Sequence, residues 1–399
     1  MNRAIQENGQ GELPESLLYA TSARLGASGL GTSSYESVRA SWREGFLGKV
    51  LTFGSEQEEI QGRKIKSLQA NPVRLLSWMD RKYYHTLKKR VLDKSAAREL
   101  ESGGYDCFHG WSSEAVHSLR MAKRLGIPSL LDIPTWHRDK GKVKPRETMT
   151  ERKMRTGDWK QRLRHYLSVP RQQVLEEYDL ADVILVLSEK ARETFLEVGF
   201  DESRLFYLGR GVDVERYQIG KAPDIFRLTF VGSVIKRKGA HHLLNVWKKL
   251  GLKNAELVLV GNVGEELESY IPEMAGANVR LVGFSDRVED WLMKSSAFVL
   301  PSECEGSAKV TYEAAACGLP QITTRESGDV VQDGLNGRII QPNDPEGLAE
   351  AILEFYSNPE KIREMGLRGR ERVVNEFTWD HYRARLLNAY RYAVSGGKK

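Results

Sequence analysis

From Arg227 onward the chain alternates short apolar runs with amphipathic stretches. RLTFVGS, AELVLVG, VRLVGFS, AFVLP and PQITT are rich in β-branched and other apolar residues and read as strands. AHHLLNVWKKL, GEELESYIPEM and RVEDWLMKSS fall between them and read as helices. The strand runs are continuously apolar rather than alternating, which predicts a parallel sheet covered on both faces. The first half follows a less regular version of the same pattern. SLLYATS, YDCFHGWS, IPSLLDIP and ADVILVLS read as strands, and EAVHSLRMAKRLG and EKARETFLEVG as helices. LLSWMDRKYYHTLKKRVLDKSAAREL adds helical character, and the loop ARLGASGLGTSSYESVRASWREG opens a further helix.

Turn residues and a proline break both patterns in GRGVDVERYQIGKAPDIFR, which marks a domain boundary. The expected organisation is a flexible tail over 1–15, a first α/β domain over 16–215 and a second over 216–377. Both domains are expected to be Rossmann-like and to face each other across a cleft, since open α/β sheets bind ligands at the carboxyl ends of their strands. Three helices are expected after Asp344. The last, within 378–395, carries Tyr382 and Tyr390 on one stripe and is expected to cross back onto the first domain.

The 399 residues are 40% hydrophobic and 29% charged, an ordinary globular balance. No apolar run approaches the roughly 18 residues of a membrane-spanning helix, and the N-terminus lacks a signal-peptide core, so the expected compartment is the cytoplasm. Cys107, Cys304 and Cys317 form no CxxC pair, which argues against disulfides and zinc. Charge is unevenly spread. Residues 63–171 hold 26 Lys and Arg against 11 Asp and Glu, a net +15, which leaves −9 elsewhere. The densest stretch, 137–166, predicts contact with something anionic: a phosphorylated acceptor or the inner face of a membrane. No nucleic-acid motif or interleaved aromatic platform accompanies it.

Candidate chemistry concentrates in PSECEGSAKVTYEAAACGLPQITT. A strand ends at Pro301, a polar loop carries Glu305, and the helix that follows carries Glu313 eight positions on. Gly306, Ser307 and Ala308 between them let a ligand approach the backbone, and the amides of a helix start attract phosphate. Carboxylates beside an anion site suit a ligand bearing both hydroxyls and phosphate, such as a nucleotide sugar. VGSVIKRKG places Lys236, Arg237 and Lys238 at the carboxyl end of another strand, where cations suit a diphosphate. In the first half, Gly26, Gly29 and Gly31 form a glycine-rich loop between a strand and a helix, without the third glycine or the acidic residue that an NAD site requires. His109 ends a strand and His137 follows another, both are candidates to face the cleft, and Asp132 competes for the place of His137. No metal-ligand pattern is present.

Taken in order, GRGVD, GSVIKRKG, LVLVG, VRLVGFSD, the Glu305–Glu313 segment and VQDGLNGRIIQPNDPEGLAEAI resemble the family-four retaining glycosyltransferases of GT-B fold, also described as glycosyl transferases group 1. The resemblance is strong over about 175–390 and weak over 40–170. GLGT, with Gly29 and Gly31, resembles the glycine loop of that family's acceptor domain. The resemblance implies transfer of a hexose from a UDP- or GDP-sugar to a glycan, lipid-linked or small-molecule acceptor, with retained anomeric configuration and neither metal nor cofactor. It implies that Glu313 holds the ribose, Glu305 contacts the transferred sugar, and the backbone around Ala308, Lys309 and Val310 binds the diphosphate with Lys238. Phe284 would border the base and Gly232 the phosphates, and His137, with His109 as alternative, would contact the sugar. Ser233 stands where many members have arginine, and Arg237 or Lys236 are the available substitutes. Ser307 and Ala308 stand where EGFG is usual. The alternatives are a GT-B phosphorylase or sugar-nucleotide epimerase, and a degenerate nucleotide-sugar binder.

Overall fold

The computed structural model describes residues 11–139 apart from 61, 70, 73–76 and 78–80, and residues 168–396 apart from 222 and 273–275. Most of the basic stretch 137–166 therefore lies outside the described residues. The chain divides into two units. The first holds the described residues up to Val186, Ala191–Leu208 and those from Arg383 on, and the second holds Leu187–Lys190 and Gly209–Tyr382.

The first unit is built on seven parallel strands: β1 (Leu17–Ala20), β2 (Leu47–Thr52), β3 (Ile65–Ser67), β4 (Cys107–Trp111), β5 (Ser129–Ile133), β6 (Val183–Val186) and β7 (Leu205–Tyr207). Their order is β3-β2-β1-β4-β5-β6-β7, so β1 is paired on both sides and the winding reverses beside it. β1, β4, β5 and β6 are buried at every position, which explains why they read as unbroken apolar runs. Among the described residues this sheet is accompanied by α1 (Leu30–Arg43), α2 (Arg81–Glu101), α3 (Val116–Leu125), α4 (Arg171–Leu180) and α5 (Glu189–Leu196). The start of α3 has no side-chain cap of its own. Asp93 of α2 takes its place, accepting from the N–H groups of His117 and Ser118 at 2.9 and 2.8 Å. Glu177 of α4 accepts from the N–H groups of Ser113 and Ala115 in the turn before it. Burial raises Glu177 to about 8 against the pull of those donors.

The second unit has six parallel strands: β8 (Phe226–Val231), β9 (Ala255–Val260), β10 (Val279–Gly283), β11 (Ala297–Leu300), β12 (Gln321–Thr324) and β13 (Gly337–Ile340). Their order is β10-β9-β8-β11-β12-β13, and the winding reverses between β8 and β11. Phe298 pairs with Thr229, so β8 and β11 end level at Val231 and Leu300. Helices α6 (Ala240–Leu250), α7 (Val288–Leu292), α8 (Lys309–Ala316), α9 (Pro345–Ser357) and α10 (Pro359–Glu376) complete it. The last helix, α11 (Trp379–Val394), starts in this unit and continues in the first from Arg383. There Leu386, Ala389 and Tyr390 are buried, and Arg383 pairs with Glu36 of α1.

GEELESYIPEM departs from the sequence reading. It forms a 3₁₀ turn over Glu265–Tyr270 instead of an α-helix. Pro272 cannot donate to Glu268 and its ring would clash with that carbonyl, so no α-helix runs through it. Among the described residues no helix is long and apolar enough to cross a membrane.

Candidate functional site

The reversal between β8 and β11 places two loops side by side at the carboxyl end of the second sheet. β8 leads into Gly232 at φ 131°, where a Cβ would lie 2.6 Å from Lys238 Nζ. Only a glycine lets the ammonium sit this close to the backbone. Lys236–Lys238 form one 3₁₀ turn that ends at Gly239, φ 70°, where a Cβ would lie 2.2 Å from the carbonyl oxygen of Pro301. This contact seats the basic triplet against the end of β11. The N–H of Lys236 donates to Glu266, and Ser233 is exposed.

Glu305 faces this triplet from the β11 loop. Its Oε1 lies 2.9 Å from Arg237 Nη1 and 3.5 Å from Lys238 Nζ. Arg237 also donates to the carbonyl of Cys304, and its own carbonyl accepts from the N–H of Glu303 at 2.9 Å. One arginine therefore grips the loop on both sides of Cys304. The rest of the loop is equally fastened. Thr324 Oγ1 donates to Ser302 O, Ser188 Oγ to Gly306 O, and Arg210 Nε to Ser307 O, all at 2.6 Å. Ser307 Oγ shares a hydrogen bond with the Tyr312 hydroxyl at 2.9 Å. Burial lowers the guanidinium of Arg210, and the acidic groups around it, Tyr312, Tyr382, Glu313 and Glu305, oppose that shift.

α8 follows directly, with no side-chain cap at Ala308. The N–H of Ala308 donates to Ser327 O at 2.8 Å and so is spent inside the unit. The amides of Lys309 and Val310 open the helix, where the dipole favours an anion. Glu313 is 5% exposed and pairs with Lys309 one turn back at 2.8 Å. It also accepts from the Tyr217 hydroxyl at 2.6 Å. Glu305 thus has Arg237 and Lys238 beside it, Glu313 has Lys309, and Arg210 holds the carbonyl of Ser307 just before the helix start. Phe284, just past the end of β10, leaves 76% of its surface in solvent.

The remaining candidates belong to the first unit. His137 follows β5 and is 6% exposed, against Phe195 and Tyr178 at ring distances of 4.7 and 5.0 Å. Its Nδ1 accepts from the N–H of Asp139 at 3.0 Å, which puts the proton of the neutral ring on Nε2. Burial, helped by Arg171, lowers it to about 4. His109 is wholly buried between Tyr390, 2.6 Å from its Nδ1, and Asp132, 3.0 Å from its Nε2. Both ring nitrogens are engaged in the core, which gives His109 and Asp132 a packing role. Gly29 opens α1 at φ 75°, and Gly31 packs so that a Cβ would meet Arg24 O at 2.3 Å.

The structure brings together Gly232, Lys238, Arg237, Glu305, Gly306, Ser307, Ala308, Lys309, Val310 and Glu313 in one unit. It adds Tyr217, Arg210 and Ser327, which the sequence reading did not single out. Lys309 and Glu313 could have been paired from their spacing of four. Tyr217 and Arg210 lie in a turn-rich segment with no periodicity, and Ser327 acts through its carbonyl, so none of the three had a local signal. Among the described residues no group of three His, Cys, Asp or Glu is placed to hold a metal.

Residues 225–358 match the family model described as Glycosyl transferases group 1. An uncharacterized glycosyltransferase of Methanocaldococcus jannaschii is 32% identical over 155 residues, 38% of this chain and 44% of that protein. The alpha-maltose-1-phosphate synthase of Mycolicibacterium smegmatis is 28% identical over 247 residues, 53% of this chain and 64% of that protein. The chain thus spans between two fifths and two thirds of the length of these relatives. The crystal structure of the Anabaena protein HepE in complex with UDP-glucose is similar at a TM-score of 0.62 and 15% identity, over 93% of this chain and 98% of that one. At that identity the likeness speaks for the fold, two Rossmann-like units consistent with the GT-B class.

Proposed function

We propose that this chain is a retaining glycosyltransferase that moves a hexose from a nucleoside diphosphate sugar to a glycan, lipid-linked or small-molecule acceptor. One observation carries the reading. At a single switch point of a parallel sheet, Lys238 and Arg237 converge with Glu305, and the start of α8 brings Lys309 and Glu313 beside them. The match of residues 225–358 and the UDP-glucose held by a protein of the same fold support a nucleotide-sugar donor.

On this reading the diphosphate lies between Lys238 and the amides of Lys309 and Val310. Transfer breaks the bond from the anomeric carbon to the diphosphate oxygen and forms one to the acceptor oxygen, whose hydroxyl proton passes to the departing phosphate oxygen or to water. The diphosphate leaves with an added negative charge, and fixed cations aimed at it stabilise the transition state more than the ground state. Glu305 accepts from sugar hydroxyls and Glu313 from the ribose. Glu305 pairs with Arg237 and Lys238, and a diphosphate would offer the same two cations a further anionic partner. His137, neutral with Nε2–H available, is suited to donate to a sugar hydroxyl.

Replacing Glu305 or Glu313 by alanine is expected to lower transfer from UDP-glucose or another accepted donor by about a hundredfold or more, the scale of losing a charge-assisted contact in a dry site. Circular dichroism should show an intact fold. Unchanged turnover in both variants would sink the mechanism.

A further inference from the structure

Glu313 is half engaged. Its Oε1 takes both the Tyr217 hydroxyl at 2.6 Å and Lys309 Nζ at 2.8 Å. Its Oε2 has no hydrogen-bond partner among the described residues and is not closed off from solvent. One oxygen is tied down and the other is presented.

Tyr217 is a strong tie. It is 4% exposed and lies in the segment that leads into the second unit. Its N–H donates to Asp213 O at 3.3 Å, and its carbonyl accepts from Arg370 Nη1 of α10 at 2.7 Å. The same Arg370 nitrogen donates to the carbonyl of Ala316, the last residue of α8. One guanidinium thus joins the backbone of Tyr217 to the helix that carries Glu313. Burial, and then the Glu313 carboxylate, push the phenol well above its ordinary range, so it remains a donor at any working pH. Lys309 is 31% exposed in its side chain and rides on a flexible stem, so it is the weaker holder.

We infer that Tyr217 is the positioning residue of the ribose site: its hydroxyl fixes Glu313 so that Oε2 meets the ribose diol of a bound nucleotide. This rests on the donor-site reading above. Without the hydroxyl, Glu313 keeps its charge and its place on α8 but can swing toward Lys309. Recognition of the two ribose hydroxyls weakens, while contacts to the diphosphate persist.

The test is calorimetric binding of UDP and GDP, and of their 2′,3′-dideoxy counterparts, to the full chain, to Tyr217→Phe and to Glu313→Gln. The expected result is that the chain prefers the ribo form of the nucleotide it accepts, and that Tyr217→Phe loses about tenfold in affinity for it, the scale of one hydrogen bond to a charged group. Affinity for the dideoxy form should stay within about twofold, and Glu313→Gln should abolish the preference. A merely structural tyrosine would weaken both forms alike, and that result, or an unchanged preference in Tyr217→Phe, overturns the inference while the donor site stands. If Glu313→Gln binds both forms as the native chain does, the donor-site reading fails with it. Thermal unfolding of each variant separates a local effect from loss of the fold.

Discussion

Arg237 is about half exposed, and an ordinary surface ion pair of that kind contributes under about 1 kcal/mol. Its value here is as a positioned cation. It contacts Glu305 and the Cys304 carbonyl, and the segment just before its turn carries Ser233, which is exposed and uncharged. We expect Arg237→Ala to lower kcat/KM for the donor by about ten- to hundredfold, the value of one charge-assisted hydrogen bond. Adding Ser233→Arg to that variant is expected to restore part of the loss, because a guanidinium on the preceding turn reaches the same anion. Steady-state kinetics of the single and double variants decide this. No recovery would mean that Arg237 acts by holding the loop rather than by its charge.

At this scale the sequence was informative where chemistry follows chain order. The spacing of Glu305 and Glu313, and the basic triplet before Gly239, could be read directly because strand, loop and helix are contiguous there. The partners that complete them could not. Tyr217 reaches Glu313 across 96 positions, and Arg210 reaches Ser307 across 97. Only the folded chain brings them together. His109 shows the converse. A histidine closing a strand reads as a ligand, but Tyr390, supplied from 281 positions away, turns it into a core hydrogen-bonding group.

Among elements, the legible strands were those with an unbroken apolar run, most of them buried on both faces and β10 an edge strand that keeps Leu281 and Val282 side by side. β2, β3, β7 and β13 were not singled out, for physical reasons. β2 contains Gly48 and Lys49, and β3 and β7 have three residues each. β13 is an edge strand half open to its surroundings, so its apolar signal is diluted. Capping is likewise an affair between elements. α3 begins at Val116 without a residue that can cap it, and Asp93 on α2 accepts from His117 N, Ser118 N and Ser118 Oγ. Removing that carboxylate leaves two helix-start amides without partners. Asp93→Ala is expected to cost about 1–3 kcal/mol, seen as a lower denaturation midpoint at unchanged m-value. A change below about 0.5 kcal/mol would mean that water replaces the carboxylate.

For the molecule as a whole, α11 is the element that both units claim. Four residues of it, Trp379–Tyr382, group with the second unit, and the rest completes the core of the first. Tyr390 is fully buried and hydrogen-bonds His109, whose other nitrogen meets Asp132. Tyr390→Phe keeps the packing and leaves His109 Nδ1 without its partner. We expect a loss of about 1–3 kcal/mol in chemical denaturation, the cost of a buried polar atom left unsatisfied. Kinetic constants for the donor should stay near native, since the donor contacts proposed above, His137 apart, lie in the second unit. A large rise in donor KM would contradict that division.

The route of α11 also fixes an order of events during synthesis. The second unit is a nearly continuous stretch that can close once its own residues have left the ribosome. The first begins emerging earlier but lacks Leu386, Ala389 and Tyr390 until the whole second unit has been made. Its sheet, made before the second unit, is therefore sealed after it. A nascent chain stalled before Arg383 would keep that gap open to chaperones and proteases, which makes α11 the element that closes the first unit.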